Sequence, residues 1–217
     1  MTATKCWLRV SLPPSFSVKS DHMKSQALRG EYALVGMAES AVGVVPDKSP
    51  RELCVEVTLN AVKDAGLTLS DCDGLITCNA FAEPILYHAE AVAEYLGWQP
   101  RHCVTVNTGG GTTFMAINMA IAAIAAGMAD TIVVSMADSL RSFMTRDQAM
   151  VVQSSSGHPH YEQPYGPTVP AYYALIARAH MDRFGTTEAQ FAEAAVSCRA
   201  WAHQHPNAQK RELITVD

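Results

Sequence analysis

One stretch constrains this chain more than any other. A glycine triplet, Gly109, Gly110 and Gly111, opens a run in which residues 115–126 (MAINMAIAAIAA) carry a single polar side chain, Asn118. Gly127 closes it, so the run reads as one helix over about residues 110–126. It is shorter than the roughly 18–20 apolar residues a membrane span needs. A helix that is apolar on every side must be covered on every side. The flanking helices of an ordinary three-layer α/β sheet stay half exposed. This chain therefore calls for a further layer, or for a partner that covers the bare face.

The flanking sequence supplies the sheet. Residues 32–38 (YALVGMA), 75–78 (LITC), 103–106 (CVTV) and 131–135 (TIVVS) are short apolar runs that read as buried strands. Between the first two, Ser49, Pro50 and Glu52 open a helix as N-cap, first helical position and closing residue of a capping box. Leu53, Val57, Ala61 and Ala65 align on one of its faces, and Gly66 stops it. Asp73-Gly74 leads into the second strand, and residues 84–96 read as a helix ended by Gly97. Strands alternating with helices at this spacing predict a wound α/β sheet, mostly parallel.

From 140 to 168 the pattern breaks into a polar, punctuated stretch (SSSGHPH, then Pro164, Gly166, Pro167), expected to be an irregular functional loop or disordered. Two helices follow, about 171–183 and 188–203, separated by Gly185 and Thr187. The chain then stops on an apolar segment, 213–217 (LITVD). The first 24 residues contain Pro13-Pro14 and several serines but no signal-peptide core, and Met23 is a plausible alternative start.

Charge excludes one function class. The formal net charge is −5, and the 16 lysines and arginines are scattered, with Lys210-Arg211 the only basic cluster. That is no footprint for nucleic acid. The six cysteines (Cys6, Cys54, Cys72, Cys78, Cys103 and Cys198) form no C-x-x-C pair and no zinc spacing, so they read as reduced thiols in a reducing, cytoplasmic setting.

The chemistry centres on VNTGGGTTFMAI, 106–117. A strand that enters a helix through glycines aims main-chain N–H groups at one point, where the helix dipole adds positive charge. Such a point holds an anion, or an oxygen that becomes negative during reaction. Asn107, Gly109, Gly110 and Gly111 line it, and Thr112 and Thr113 can add hydroxyls. The dinucleotide and Walker patterns are not matched, which weakens a nucleotide reading. A second reading stays open: the glycines serve only to pack a buried helix tightly.

The order of elements and the run from Val106 through Ser139 resemble the thiolase superfamily. The pattern there is N-x-x-C-x-S-G-x-x-A. Asn107 and Ala116 match it, Gly110 stands at the nucleophilic Cys position, and Thr112 and Thr113 replace the Ser and Gly. EQPYG (162–166), PAYYAL (170–175) and FGTT (184–187) are similar to the loop region of the sterol-carrier-protein branch. The resemblance implies a thiolase-like layered α/β fold. Its sheet is mixed and mostly parallel, around a buried central helix, with a helical loop region at about 140–186. Only the first half is present: a lead-in at 1–28, expected to be disordered, then one domain at 29–217 cut short at its end.

The resemblance also implies an acyl-CoA-handling protein of lipid metabolism, in an acyltransferase family, with the CoA thioester as substrate and no cofactor or metal. Without a sulfur at 110 no acyl-enzyme can form, and Cys103 lies seven residues too early to replace it. Some cysteine-less relatives are retro-aldol lyases acting on β-hydroxyacyl-CoA, and that is the expected chemistry. The alternative is a non-catalytic, degenerate fragment that serves as a binding or assembly subunit. Tyr165, His158 and His160 are the candidate bases, each with a bland reading as a loop residue. His88 reads as a surface or capping residue, Glu39 as solvated, and Asp138 has no assigned role. A homo-oligomer, and a small OB-fold, zinc-ribbon partner, complete what the resemblance implies.

Overall fold

The computed structural model describes residues 30–155 and 157–216. The predicted disordered lead-in and Cys6 lie outside the described residues. Two compact units are distinguished, 1–34 and 35–217; of the first, only 30–34 are described, and they hold no helix or strand. The elements below belong to the second unit.

Helix α1, Pro50–Asp64, begins as its sequence dictates: the Ser49 hydroxyl accepts from the Glu52 N–H, and the Glu52 carboxylate accepts from the Ser49 N–H at 2.8 Å. Its buried line is rotated slightly from the predicted one. Leu53 is buried as expected, but the line continues through Cys54, Thr58 and Val62, leaving Val57, Ala61 and Ala65 half covered. Strand β1, Gly74–Thr77, follows, then α2, His88–Tyr95, β2, His102–Thr105, α3, Thr112–Ala125, and β3, Ile132–Ser135.

The three strands are parallel in the order β2-β1-β3, so β1 is central. Leu75 sits level with Cys103 and Val133, and Ile76 with Val104 and Val134. Alternation sends the first row towards Cys54 of α1 and Val92 and Ala93 of α2. The second row faces Ala116 and Ala120 of α3. Every residue of β1 is buried, as expected of a strand with helices on both faces. Fully burying Leu75 or Ile76 contributes about 1.5–3 kcal/mol each.

Two predictions need correcting. The run 32–38 is not a strand: Leu34 is 84% and Met37 79% exposed. An apolar run becomes a strand only beside a neighbour that takes its N–H and C=O groups. Here Gly36 instead lies against α1, where a Cβ would stand 2.3 Å from the Ala61 oxygen. The Met37 N–H donates to Asp64 Oδ2 at 2.9 Å. Second, 140–168 is not simply a loop. It holds α4, Leu140–Phe143, and α5, Arg146–Ser154, the latter opened by a Thr145–Gln148 capping box. The T-x-x-Q signal of that box stands in the sequence at 145–148. Helices α6, Val169–Phe184, and α7, Glu188–Gln204, complete the chain, and neither has a buried residue.

Helix α3 buries one line, Thr112, Ala116, Ala120 and Ala123. Its other side is bare, with Phe114 74% exposed. The covering layer that its composition demands is not supplied by the described residues.

The amino ends of the strands are stapled by one carboxylate. Asp73 Oδ1 accepts from the Asp130 and Thr131 N–H groups at 2.8 and 2.9 Å, and Oδ2 pairs with Arg101 at 2.8 Å. Burial pushes the Asp73 pKa up, but the Thr131 and Asp130 N–H groups and the Arg101 charge outweigh it and hold it below the usual value. Its contribution is thus present above the ordinary aspartate pKa and lost as pH falls through the folded value. We expect Asp73→Ala to cost roughly 2 kcal/mol in urea unfolding at neutral pH, and less in acid.

Candidate functional site

The chain leaves β1 for β2 on one side and returns across β1 to reach β3. Strand order therefore reverses beside β1, and the crevice beyond the carboxyl ends of such strands is where ligands bind in open α/β sheets. Thr77, Thr105 and Ser135 end the three strands there.

The glycine turn sits at this edge. The Val106 N–H donates to the Thr77 oxygen at 2.8 Å, carrying β2 one residue further along β1. Gly109 has φ +67°, which a glycine adopts without strain. Gly109–Gly111 makes one 3-10 turn, and α3 starts directly from it. The buried Thr112 hydroxyl accepts from the Thr108 N–H at 2.9 Å and donates to the Gly109 oxygen at 2.6 Å. It is therefore spent on shaping the turn. Thr113 is exposed, its hydroxyl 3.5 Å from Met136 Sδ. At Gly110 and Gly111 a Cβ would meet nothing within 4 Å. Packing among the described residues therefore does not require either glycine. The first turn of a helix leaves N–H groups without intrahelical acceptors, and here that turn opens outward.

Asn107 is also exposed, and Cys78, at the end of β1, comes to 4.0 Å from its Oδ1. The Cys78 thiol donates to the Asn79 oxygen at 3.4 Å. Burial raises its pKa, the Thr112 hydroxyl offsets part of the rise, and the Asp138 charge adds to it. Cys103 is pushed up to about 11, by burial first and by Glu90 second. Both thiols are protonated at neutral pH and neither is an activated nucleophile. Sequence reasoning set Cys103 aside but did not place Cys78 beside the turn; only the pairing of β1 with β2 brings 78 and 107 together.

His88 is not a surface residue. It is 0% exposed, and its Nδ1 lies 2.9 Å from the Thr77 hydroxyl. Next to it the Ala89 N–H donates to the Thr105 hydroxyl at 2.9 Å. Two strand-end threonines thus seat the first turn of α2. His88 leads the buried stripe His88, Ala89, Val92 and Ala93, a periodicity legible in the sequence. Asp138, given no role above, anchors the segment before α2: its carboxylate accepts from the Phe81 N–H at 2.7 Å and the Ala82 N–H at 3.3 Å.

The candidate bases lie elsewhere in the sequence and keep to themselves. The His158 N–H donates to the Glu162 carboxylate, and the His160 N–H donates to His158 Nδ1 at 3.2 Å. Tyr165 is 85% exposed, in a 3-10 turn at Gln163–Tyr165. None of these bonds reaches the glycine turn. Among the described residues no group of three or more His, Cys, Asp or Glu could hold a metal ion, and no helix is long and apolar enough to cross a membrane.

Burial holds the His88 pKa below its usual value; of the charges nearby, Glu83 and Asp138 oppose this and Arg51 adds to it. The unfolded chain therefore takes up this proton at higher pH than the folded one. Stability falls as pH drops through the ordinary histidine value and levels off below the folded one. In His88→Phe this part of the slope, which begins as pH falls below about 7, should vanish, as read by thermal melts.

The chain matches the family model described as thiolase, N-terminal domain, over residues 33–217. It is 26% identical over 190 residues to an acetyl-CoA acetyltransferase of Methanothermobacter thermautotrophicus, covering 86% of this chain and 49% of the relative. It is 30% identical over 189 residues to a 17-hydroxy-3-oxo-4-pregnene-20-carboxyl-CoA lyase of Mycobacterium tuberculosis, covering 83% and 48%. Among solved structures it resembles the Ltp2-ChsH2(DUF35) aldolase, with TM-score 0.69 and 28% identity over 85% of this chain and 47% of that one. The chain spans about half the length of the curated relatives it matches.

Proposed function

Because the chain belongs to the thiolase family, matching its N-terminal domain, we propose that it carries the thioester-holding half of a retro-aldol C–C lyase acting on a β-hydroxyacyl-CoA. The observation that carries this reading is Gly110. By the motif resemblance it stands at the family's nucleophile position, and no described residue lies within 4 Å of where its side chain would begin. Burial raises the pKa of the Cys78 and Cys103 thiols, and both lie on or beside the strands rather than at the start of α3. Acyl transfer through an acyl-enzyme has no nucleophile here, whereas retro-aldol cleavage needs none. The relatives named as a carboxyl-CoA lyase and an aldolase support the same choice.

In the proposed reaction the thioester oxygen accepts hydrogen bonds from the main-chain N–H groups of Gly110 and Gly111 at the start of α3. A base takes the proton of the β-hydroxyl, and Tyr165 or His158 is proposed for that role. The Cα–Cβ bond breaks: the hydroxyl carbon leaves as a carbonyl, and the bonding pair passes into an enolate held at the same N–H groups. Charge grows on that oxygen during the step, so the donors stabilise the transition state more than the bound substrate. A proton returned to Cα completes an acyl-CoA. Asn107 and Thr113 would flank the thioester. No cofactor takes part.

The bare face of α3 and the absence of buried residues in α6 and α7 favour a working form with more protein around this domain. We infer a homo-oligomer in the cytoplasm, joined by a second component; the two-part name of the aldolase neighbour supports the latter. A small OB-fold, zinc-ribbon protein is the proposed kind. A non-catalytic binding or assembly subunit is the competing reading that the same open surfaces favour.

Incubated in its native assembly with a β-hydroxyacyl-CoA, the protein should release a shorter acyl-CoA and a carbonyl compound without consuming free CoA. Gly110→Cys should then form an acyl adduct visible by intact mass, which the natural protein does not. Thiolysis of a 3-oxoacyl-CoA by the natural protein would sink this reading. Cleavage of neither thioester would leave the assembly role standing.

A further inference from the structure

Residues 79–87 join β1 to α2 without forming a helix or strand, and two carboxylates from outside or within the segment anchor them. Asp138, beyond β3, accepts from the Phe81 N–H at 2.7 Å and the Ala82 N–H at 3.3 Å. Glu83 accepts from Arg51 of α1, from Nη2 at 2.6 Å and from the main-chain N–H at 3.3 Å. The same guanidinium lies 4.4 Å from the centre of the Tyr95 ring of α2. A further bond is local: Asn79 Oδ1 accepts from the Ile85 N–H at 3.2 Å.

His88 follows the segment directly. Its ring is fully buried and its Nδ1 lies 2.9 Å from the Thr77 hydroxyl, while Nε2 is buried with no hydrogen-bond partner among the described residues. The charged groups that act on the ring come from three places: Glu83 in the segment, Arg51 on α1 and Asp138 after β3. The strand ends beneath offer neutral hydroxyls, Thr77 of β1 against the ring and Thr105 of β2 against the Ala89 N–H. Glu90, on the same helix as His88, acts on Cys103. The two carboxylates that act on His88 are thus the two that anchor the segment before it.

That coincidence decides what a proton does here. A neutral imidazole carries one N–H; the protonated ring carries two and accepts nothing. One of them can donate to Thr77, but the other would be a buried, charged donor with no acceptor, a costly arrangement. The strain is relieved when the ring turns out to water or takes a carboxylate. Taking Glu83 pulls it from Arg51, and taking Asp138 strips it from Phe81 and Ala82. Each route undoes an anchor of residues 79–87 and leaves the strand ladder intact.

We propose that His88 is an acid-sensitive latch, and that protonation of its imidazole releases residues 79–87 while the sheet and α1 stay folded. This goes beyond the proposed reaction and does not depend on what the glycine turn binds. With the segment closed, burial holds the His88 pKa below its usual value. A ring solvated in the open segment regains that value. The proton therefore binds the open form more tightly and draws the population towards it as pH falls, by up to about tenfold for each pH unit separating the two values.

The test is hydrogen exchange read by mass spectrometry on the full chain in its native assembly, corrected for the intrinsic pH dependence of exchange. Between about pH 8 and about pH 5, protection in a peptide spanning 79–87 should fall about tenfold while a peptide from α1 keeps its protection. In His88→Gln, which is neutral at every pH, the segment should stop responding. A parallel loss in α1 overturns the latch, because acid would then be unfolding the whole domain. Protection of 79–87 that ignores pH in the natural protein overturns it as well. So does an undiminished response in His88→Gln, which would assign the effect to Glu83 or Asp138. Should that variant not fold, NMR of the histidine ring nitrogens in the natural protein decides. Titration of His88 and loss of protection at 79–87 are expected to share one midpoint, and separate midpoints overturn the proposal.

Discussion

The burial of β1 on both faces is the constraint on which everything else in this domain depends. A strand of four residues, GLIT, cannot be solvated on either side once Leu75 faces α1 and α2 and Ile76 faces α3. It must be central, and its neighbours must be parallel to it because each is reached through a crossover helix. With β1 central and the chain passing first to β2 and then back to β3, the order reverses beside it. That reversal opens the crevice in which the glycine turn lies.

The two ends of this sheet are built from different chemistry. At the amino ends a charged group, Asp73, gathers the N–H groups of the chain entering β3 and the guanidinium of Arg101. At the carboxyl ends the polar groups are neutral: the hydroxyls of Thr77 and Thr105, the buried imidazole of His88, and Ser135 against Cys54 at 3.2 Å. The charges that are present, on Asp138 and on the Arg51–Glu83 pair, are spent on anchoring the segment before α2.

The open surfaces follow the same logic. Helix α3 satisfies the sheet with one line of alanines and a threonine, and the remainder of its apolar side finds no cover among the described residues. Such a face is costly in water. The chain spans about half the length of the relatives it matches. On the proposed reading, a glycine at 110 changes what the turn can do without changing how it is built. The first turn of α3 presents its N–H groups whether or not residue 110 carries a side chain.

The sequence by itself determined the local elements and the turn. Capping residues placed the start of α1, and glycines placed the stops of α1 and α3. The all-apolar run required cover beyond the sheet, and the missing sulfur at Gly110 was plain. Each of these is encoded within a few residues, which is why it could be read. Tertiary structure alone decided which apolar runs become strands: residues 32–38 have the composition of one but form none, and Gly36 lies against α1. It also decided that His88 is core, that Asp138 serves a segment 57 residues earlier, and that Cys78 stands beside Asn107. Those are contacts between distant parts of the chain. They depend on strand register and crossover direction, and no short window of sequence contains either.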